Sequence, residues 1–149
     1  MNVKWDLRFL RLAKEVSTWS KDPSTQVGAV IANEKKVISL GYNGFPEGMD
    51  DSEEFYLDRE MKLSRIIHAE QNAILNANIP VKGFTLYVWP MMPCAPCSLP
   101  IIQAGISRVV SVTTSEEVHA RWHQSFSRSQ GNFSEANVGL KFYHPSDLD

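Results

Sequence analysis

His68-Ala69-Glu70 and, further along, Pro93-Cys94-Ala95-Pro96-Cys97 are the stretches on which the reading of this sequence turns. One imidazole and two thiols make three ligands of the kind zinc takes, one short of a closed tetrahedron. The open position suits a metal that works on a water molecule better than one that only braces a fold. Glu70 falls two residues past the histidine, so its carboxylate can reach that position without being needed as a ligand; it is the candidate proton carrier. A CxxC alone also fits a redox dithiol or half of a structural zinc site, but neither explains a histidine and a glutamate at the start of a second helix. His119 and His123, four apart, read as a solvated helix face, and His144 has no partner visible in the sequence.

The composition agrees with a catalytic metal. At 149 residues the chain is one domain long, residues 1–149, and can bury a sizeable core without staples. It is 43% apolar and 21% charged, with a formal net charge of −2, which offers no broad basic surface to a polynucleotide. The two cysteines are three apart, too close for a framework disulfide. The first residues, Met1-Asn2-Val3-Lys4-Trp5-Asp6, carry charge and no apolar core, and no segment is long enough to cross a bilayer. The expected compartment is the cytoplasm, where thiols stay reduced.

Apolar residues recurring every three to four positions predict an amphipathic helix over 5–19. Ser20 to Thr25 break it, and Val27-Gly28-Ala29-Val30-Ile31 is a strand, joined through the turn Asn33-Glu34-Lys35-Lys36 to a second strand over 37–42 in a hairpin. The acidic segment Asp50 to Glu54 reads as a solvated loop with the potential to act as a lid. A helix over 66–78 places His68 and Glu70 at its first turn. A strand over 84–89 follows, then a helix over 94–104 whose start favours the Cys94 and Cys97 thiolates through the positive end of its dipole. A strand at 109–112 completes a parallel crossover. Beyond it, 116–126 reads as a helix, 127–137 as polar loop, and 138–143 as a last strand. The expected architecture is a three-layer α/β/α sandwich with a mixed five-stranded sheet.

Several blocks in order resemble the deoxycytidylate (dCMP) deaminases of the cytidine-deaminase-like superfamily: Ser20-Lys21-Asp22-Pro23 with Gln26-Val27-Gly28-Ala29-Val30, Gly41-Tyr42-Asn43-Gly44 with Pro46, His68-Ala69-Glu70 with Asn72-Ala73-Ile74, and Pro93-Cys94 with Cys97. The histidine and cysteine motifs are the signature of the zinc deaminases as a whole; the first two blocks narrow the resemblance to the nucleotide branch. It covers roughly residues 5–112.

The resemblance implies hydrolytic deamination of dCMP to dUMP and ammonia, with one Zn2+ per chain on His68, Cys94 and Cys97 and with Glu70 carrying protons to N3 and to the leaving amino group. It implies substrate contacts from Asn43, at the deoxyribose, and from Ser24, Thr25, Val27 and Ala69, with Lys21 and the loop to Thr25 as the candidate for the phosphate. It also implies a second site over Tyr42, Gly44, Phe45, Pro46, Glu47 and Gly48, where dCTP activates and dTTP inhibits with Mg2+, and assembly as a homohexamer. Met91-Met92 before Pro93 is bulkier than this family resemblance leads one to expect beside the base, and Thr113 to Glu116 lack the tyrosine often found there. The alternatives are a deaminase of another cytosine nucleotide or base, and a catalytically silent zinc module that senses nucleotides.

Overall fold

The computed structural model describes residues 2–149. Its centre is β1 (Gly28–Asn33), buried along nearly its whole length, which pairs antiparallel with β2 (Lys36–Tyr42) on one side and β3 (Thr85–Trp89) on the other. Parallel pairing then adds β4 (Arg108–Val112) and β5 (Gly139–Tyr143), giving the order β2-β1-β3-β4-β5. The mixed five-stranded sheet matches the sequence expectation, including the hairpin and the parallel crossover from β3 to β4; the parallel pairing of β5 on β4 is added by the structure.

Strand alternation sorts the core into two layers. Ala29, Ile31, Leu86, Val88 and Val109 face one side, where they pack with Ala69, Ala73, Cys97, Ile101 and Phe133 of the helices there. Val30, Ala32, Tyr87, Val110 and Val112 face the other, against Phe9, Leu10 and Ala13 of α1 (Val3–Ser17). The Asn2 side chain caps α1 by accepting from the Trp5 N–H.

Asp6 fixes α1 to its sheet. This fully buried carboxylate accepts from Tyr87 Oη (3.0 Å), Tyr143 Oη (2.7 Å) and both terminal nitrogens of Arg108, so one side chain of the helix ties three strands together. Burial alone would raise its pKa, but the hydrogen bonds from Arg108 and Tyr143, with the Arg108 charge, outweigh it and hold Asp6 below the usual carboxylate range.

On the opposite face α4 (Ala69–Asn76) lies against β2 and β1. The contact requires glycine at position 41, because a Cβ there would stand 2.3 Å from Ala73 N and 2.4 Å from Ala69 O. Asn72 and Asn76 donate to the Tyr42 and Leu40 carbonyls (2.8 and 3.0 Å), satisfying groups along the outer strand that no further strand would pair.

Three boundaries differ from the sequence reading. The acidic segment is not simply loop: α2 (Glu53–Leu57) begins within it, and α3 (Arg59–Arg65) follows, capped by Asp58, whose side chain accepts from Met61 N. The helix expected over 66–78 is shorter, since His68 is its extended N-cap and Ala77 has already left helical geometry. The polar loop expected over 127–137 is instead the second half of α6 (Glu116–Glu135). Serine, asparagine and glycine hide the signal there, but Phe126, Ser129 and Phe133 form one buried stripe against α5 (Ala95–Gln103), where Asn132 also donates to Ser98 Oγ (3.0 Å). Packing supplies the helical stability that these residue types lack on their own.

Candidate metal centre and active site

Two helix starts meet at the centre. His68 is the N-cap of α4 and Cys94 the N-cap of α5, with Cys97 in the first turn of α5. The residue before His68 is pinned by a bridge between Ile67 and Gly44, N–H to carbonyl in both directions (2.8 and 3.1 Å), so the imidazole is delivered from a fixed backbone. His68 Nδ1 lies 3.5 Å from Cys94 Sγ and 3.1 Å from Cys97 Sγ, and all three donor atoms lie within 4.8 Å of one another. A tetrahedral zinc with ordinary Zn–S and Zn–N bonds holds such donors about 3.6 Å apart, so this set fits the ion with little adjustment. It is the one cluster of three or more possible metal ligands among the described residues.

The local electrostatics favour a thiolate. The hydrogen bond from Cys97 and the neighbouring His68 pull the Cys94 thiol down to about 4, while its hydrogen bond to Cys94 and its burial push Cys97 up. His68 is raised, first by the Cys94 contact and also by the Glu70 charge. Glu70 is 4% exposed, and burial pushes its carboxyl up to about 7 against the pull of its own backbone N–H and of His68. A carboxyl poised near neutrality both accepts and returns a proton readily.

The cavity that opens onto this cluster has a volume of about 210 Å³. Of the residues expected at the substrate, Ser24, Thr25, Val27, Asn43 and Ala69 line it together with His68, Glu70 and Cys94. Met91 and Met92 also form part of its wall. Asn43 is buried and largely committed: its Oδ1 accepts from Val27 N (2.9 Å) and its Nδ2 donates to the Thr25 carbonyl (2.9 Å), which holds the 25–27 segment in place as a wall. Asp22 supports the same loop by accepting from Ser24 N (2.9 Å) and pairs with Lys62 (3.1 Å).

Lys21 stands elsewhere. Its exposed ammonium pairs with Asp51 (2.7 Å) and lines a separate cavity of about 560 Å³, along with Tyr42, Gly44, Phe45, Pro46, Glu47 and Gly48. Phe45 stacks on Tyr56 there, with ring centroids 4.1 Å apart. His119 and His123 are exposed on α6, as expected of a solvated face, beside a third cavity of about 470 Å³.

The sequence reading missed the contribution of the helices around the mouth. Arg59, Lys62, Leu63 and Ile66, in and just after α3, and Arg121, Trp122 and Phe126 from α6 complete the cavity. No local pattern marks them, because their relevance depends on where those helices are docked.

Residues 3–113 match the family described as the cytidine and deoxycytidylate deaminase zinc-binding region. The chain belongs to this family. It is 44% identical over 148 residues to an uncharacterized deaminase in the luxG 3′ region of Aliivibrio fischeri, covering 99% of both chains. Mouse and human deoxycytidylate deaminases are 44% and 43% identical over 115 residues, covering 72% of this chain and 64% of theirs, so the chain spans slightly less than two thirds of those relatives. The dCMP deaminase of cyanophage S-TIM5, solved with dCMP and dUMP, superposes with a TM-score of 0.79 over 96% of this chain and 99% of that one; at 22% identity the likeness speaks for the fold.

Proposed function

We propose that this protein hydrolyses dCMP to dUMP and ammonia. The observation that carries the reading is the position of Glu70: a buried carboxyl two residues from a zinc ligand, lining the same cavity as His68, Cys94 and the Ser24–Val27 wall. Full-length similarity to a deaminase and more than 40% identity to two deoxycytidylate deaminases support it.

Zinc held by His68, Cys94 and Cys97 supplies, when bound, the Lewis acidity that makes water a nucleophile near neutral pH. Glu70 takes the proton that this water loses and delivers it to N3 of the cytosine as C4 is attacked. It then takes the proton of the hydroxyl added at C4 and passes it to the amino group, so that one water is consumed, the C4–O bond becomes the carbonyl as the C4–N bond breaks, and ammonia leaves. Met91, Met92 and Trp122 give the base apolar walls that keep bulk water away. Asn43 keeps one lone pair of Oδ1 for a deoxyribose hydroxyl.

The cavity over Tyr42 to Gly48 serves in this reading as the regulatory site for dCTP and dTTP with Mg2+, in a cytoplasmic homohexamer. Its proximity supports the link: Asn43 lines both cavities, and Gly44 is bridged to the residue before His68. A ligand that moved this loop would move a zinc ligand.

Ammonia release tests the reading. Zinc-loaded protein is offered dCMP, dCTP, deoxycytidine and cytosine, each with and without Mg-dCTP and Mg-dTTP. Preference for dCMP is expected, with opposite effects of the two triphosphates. Preference for another member of the set replaces the substrate, a flat response removes the regulation, and no release from any leaves a nucleotide-sensing module.

A further inference from the structure

The site needs a counter-charge for a 5′-phosphate, and Lys21 does not face the cavity that holds Glu70. Three cations do: Arg59 and Lys62 of α3, and Arg121 of α6. They are not equivalent. Lys62 is spent, its ammonium 3.1 Å from the buried Asp22 carboxylate, and that pair is close to neutral. Arg59 and Arg121 make no hydrogen bond or ion pair among the described residues, and both are exposed, whereas Glu70 and Cys94, which line the same cavity, are buried. The remaining ionisable groups there, His68, Glu70 and Cys94, belong to the reacting end.

We infer that Arg59 and Arg121 form the phosphate subsite, one guanidinium from α3 and one from α6 at the mouth of the cavity, and that they set the preference for a nucleoside monophosphate over a nucleoside. The inference rests on the proposed deamination of a cytosine nucleotide. Charge and depth fix the orientation: the base enters toward Glu70, and the phosphate dianion stays at the rim, where planar guanidinium forks match its oxygens. Arg121 lies beyond residues 3–113, the segment that matches the family, so this half of the subsite comes from the C-terminal helix α6. The α6 docking that buries Phe126 and Phe133 is then also what sets substrate choice.

The experiment measures binding of dUMP and deoxyuridine, which are not turned over, to zinc-loaded wild type and to Arg59→Met, Arg121→Met and the double variant by calorimetry. Exposed arginines are replaced, so folding is preserved, and circular dichroism with zinc content verifies this. Wild type is expected to favour dUMP; each single variant should lose about tenfold of that preference, and the double variant most of it, with deoxyuridine binding unchanged. Equal loss for dUMP and deoxyuridine, or an unchanged preference in the double variant, overturns the subsite. So does a loss caused by Lys21→Met and by neither arginine variant. A wild type that binds dUMP over deoxyuridine in an arginine-dependent way but releases no ammonia from dCMP upholds the subsite and overturns the deaminase reading. A wild type that deaminates dCMP and deoxycytidine equally does the reverse.

Discussion

His68 Nδ1 and Cys97 Sγ, 29 residues apart in sequence, stand 3.1 Å apart where the first turns of α4 and α5 converge. The arrangement puts an imidazole and two thiols at two helix N-termini, whose dipoles favour negative charge on the sulfurs. Cys97→Ser should therefore take bound zinc from one ion per chain to nearly none, as read by metal analysis of the purified protein. A variant that keeps a full equivalent would exclude Cys97 as a ligand.

Glu70 touches none of the three ligand atoms through a hydrogen bond, so its removal should separate chemistry from metal binding. Glu70→Gln should retain zinc and its fold while ammonia release from dCMP falls by about a thousandfold or more. Parallel zinc analysis and single-turnover assays check this, and near-normal turnover in the variant would take Glu70 out of the proton path.

Gly41 is the point at which β2 lets α4 approach. A methyl group at this position would stand 2.3 Å from Ala73 N, backbone that cannot swing aside. Gly41→Ala should push α4 outward, costing about 1–3 kcal/mol of stability and carrying His68 and Glu70 out of register. Denaturant melts and turnover should both fall; a variant with normal stability would mean that the helix is free to shift.

Asp6 and Arg108 predict the acid limb of stability. The folded Asp6 carboxyl titrates below its unfolded value, so the stability it contributes is complete above about pH 4 and is lost as pH falls through the folded value. Asp6→Asn leaves Arg108 without its buried counter-ion and should cost about 3 kcal/mol at neutral pH. The difference between wild type and variant should shrink on acidification, as followed by urea melts between neutrality and pH 3. A difference that is constant with pH would mean that the charge of Asp6 carries no part of it.

The candidate metal site was legible in the sequence because it is local. Histidine, glutamate and the CxxC pair sit beside strand and helix signals that fix their place in the fold, and the apolar runs of β1, β3 and β4 are buried on both faces and need no partner to be recognised. The second half of α6 was not legible: its serines and glycine say loop, and only the seating of Phe126 and Phe133 against α5 makes it a helix.

What the sequence marked by itself is the candidate donor set, the candidate proton carrier, the β1–β2 hairpin and the crossover into β4, since each depends on residue type and short spacing. What only the tertiary structure decided is which side chains share a cavity. Lys21, one residue from Asp22, faces a different cavity from it, while Arg59 and Arg121, 62 positions apart in the numbering, line the same one. The reason is physical: a ligand's counter-charge acts through space over a few ångströms, and those distances are set by how helices dock on the sheet, which no local pattern encodes.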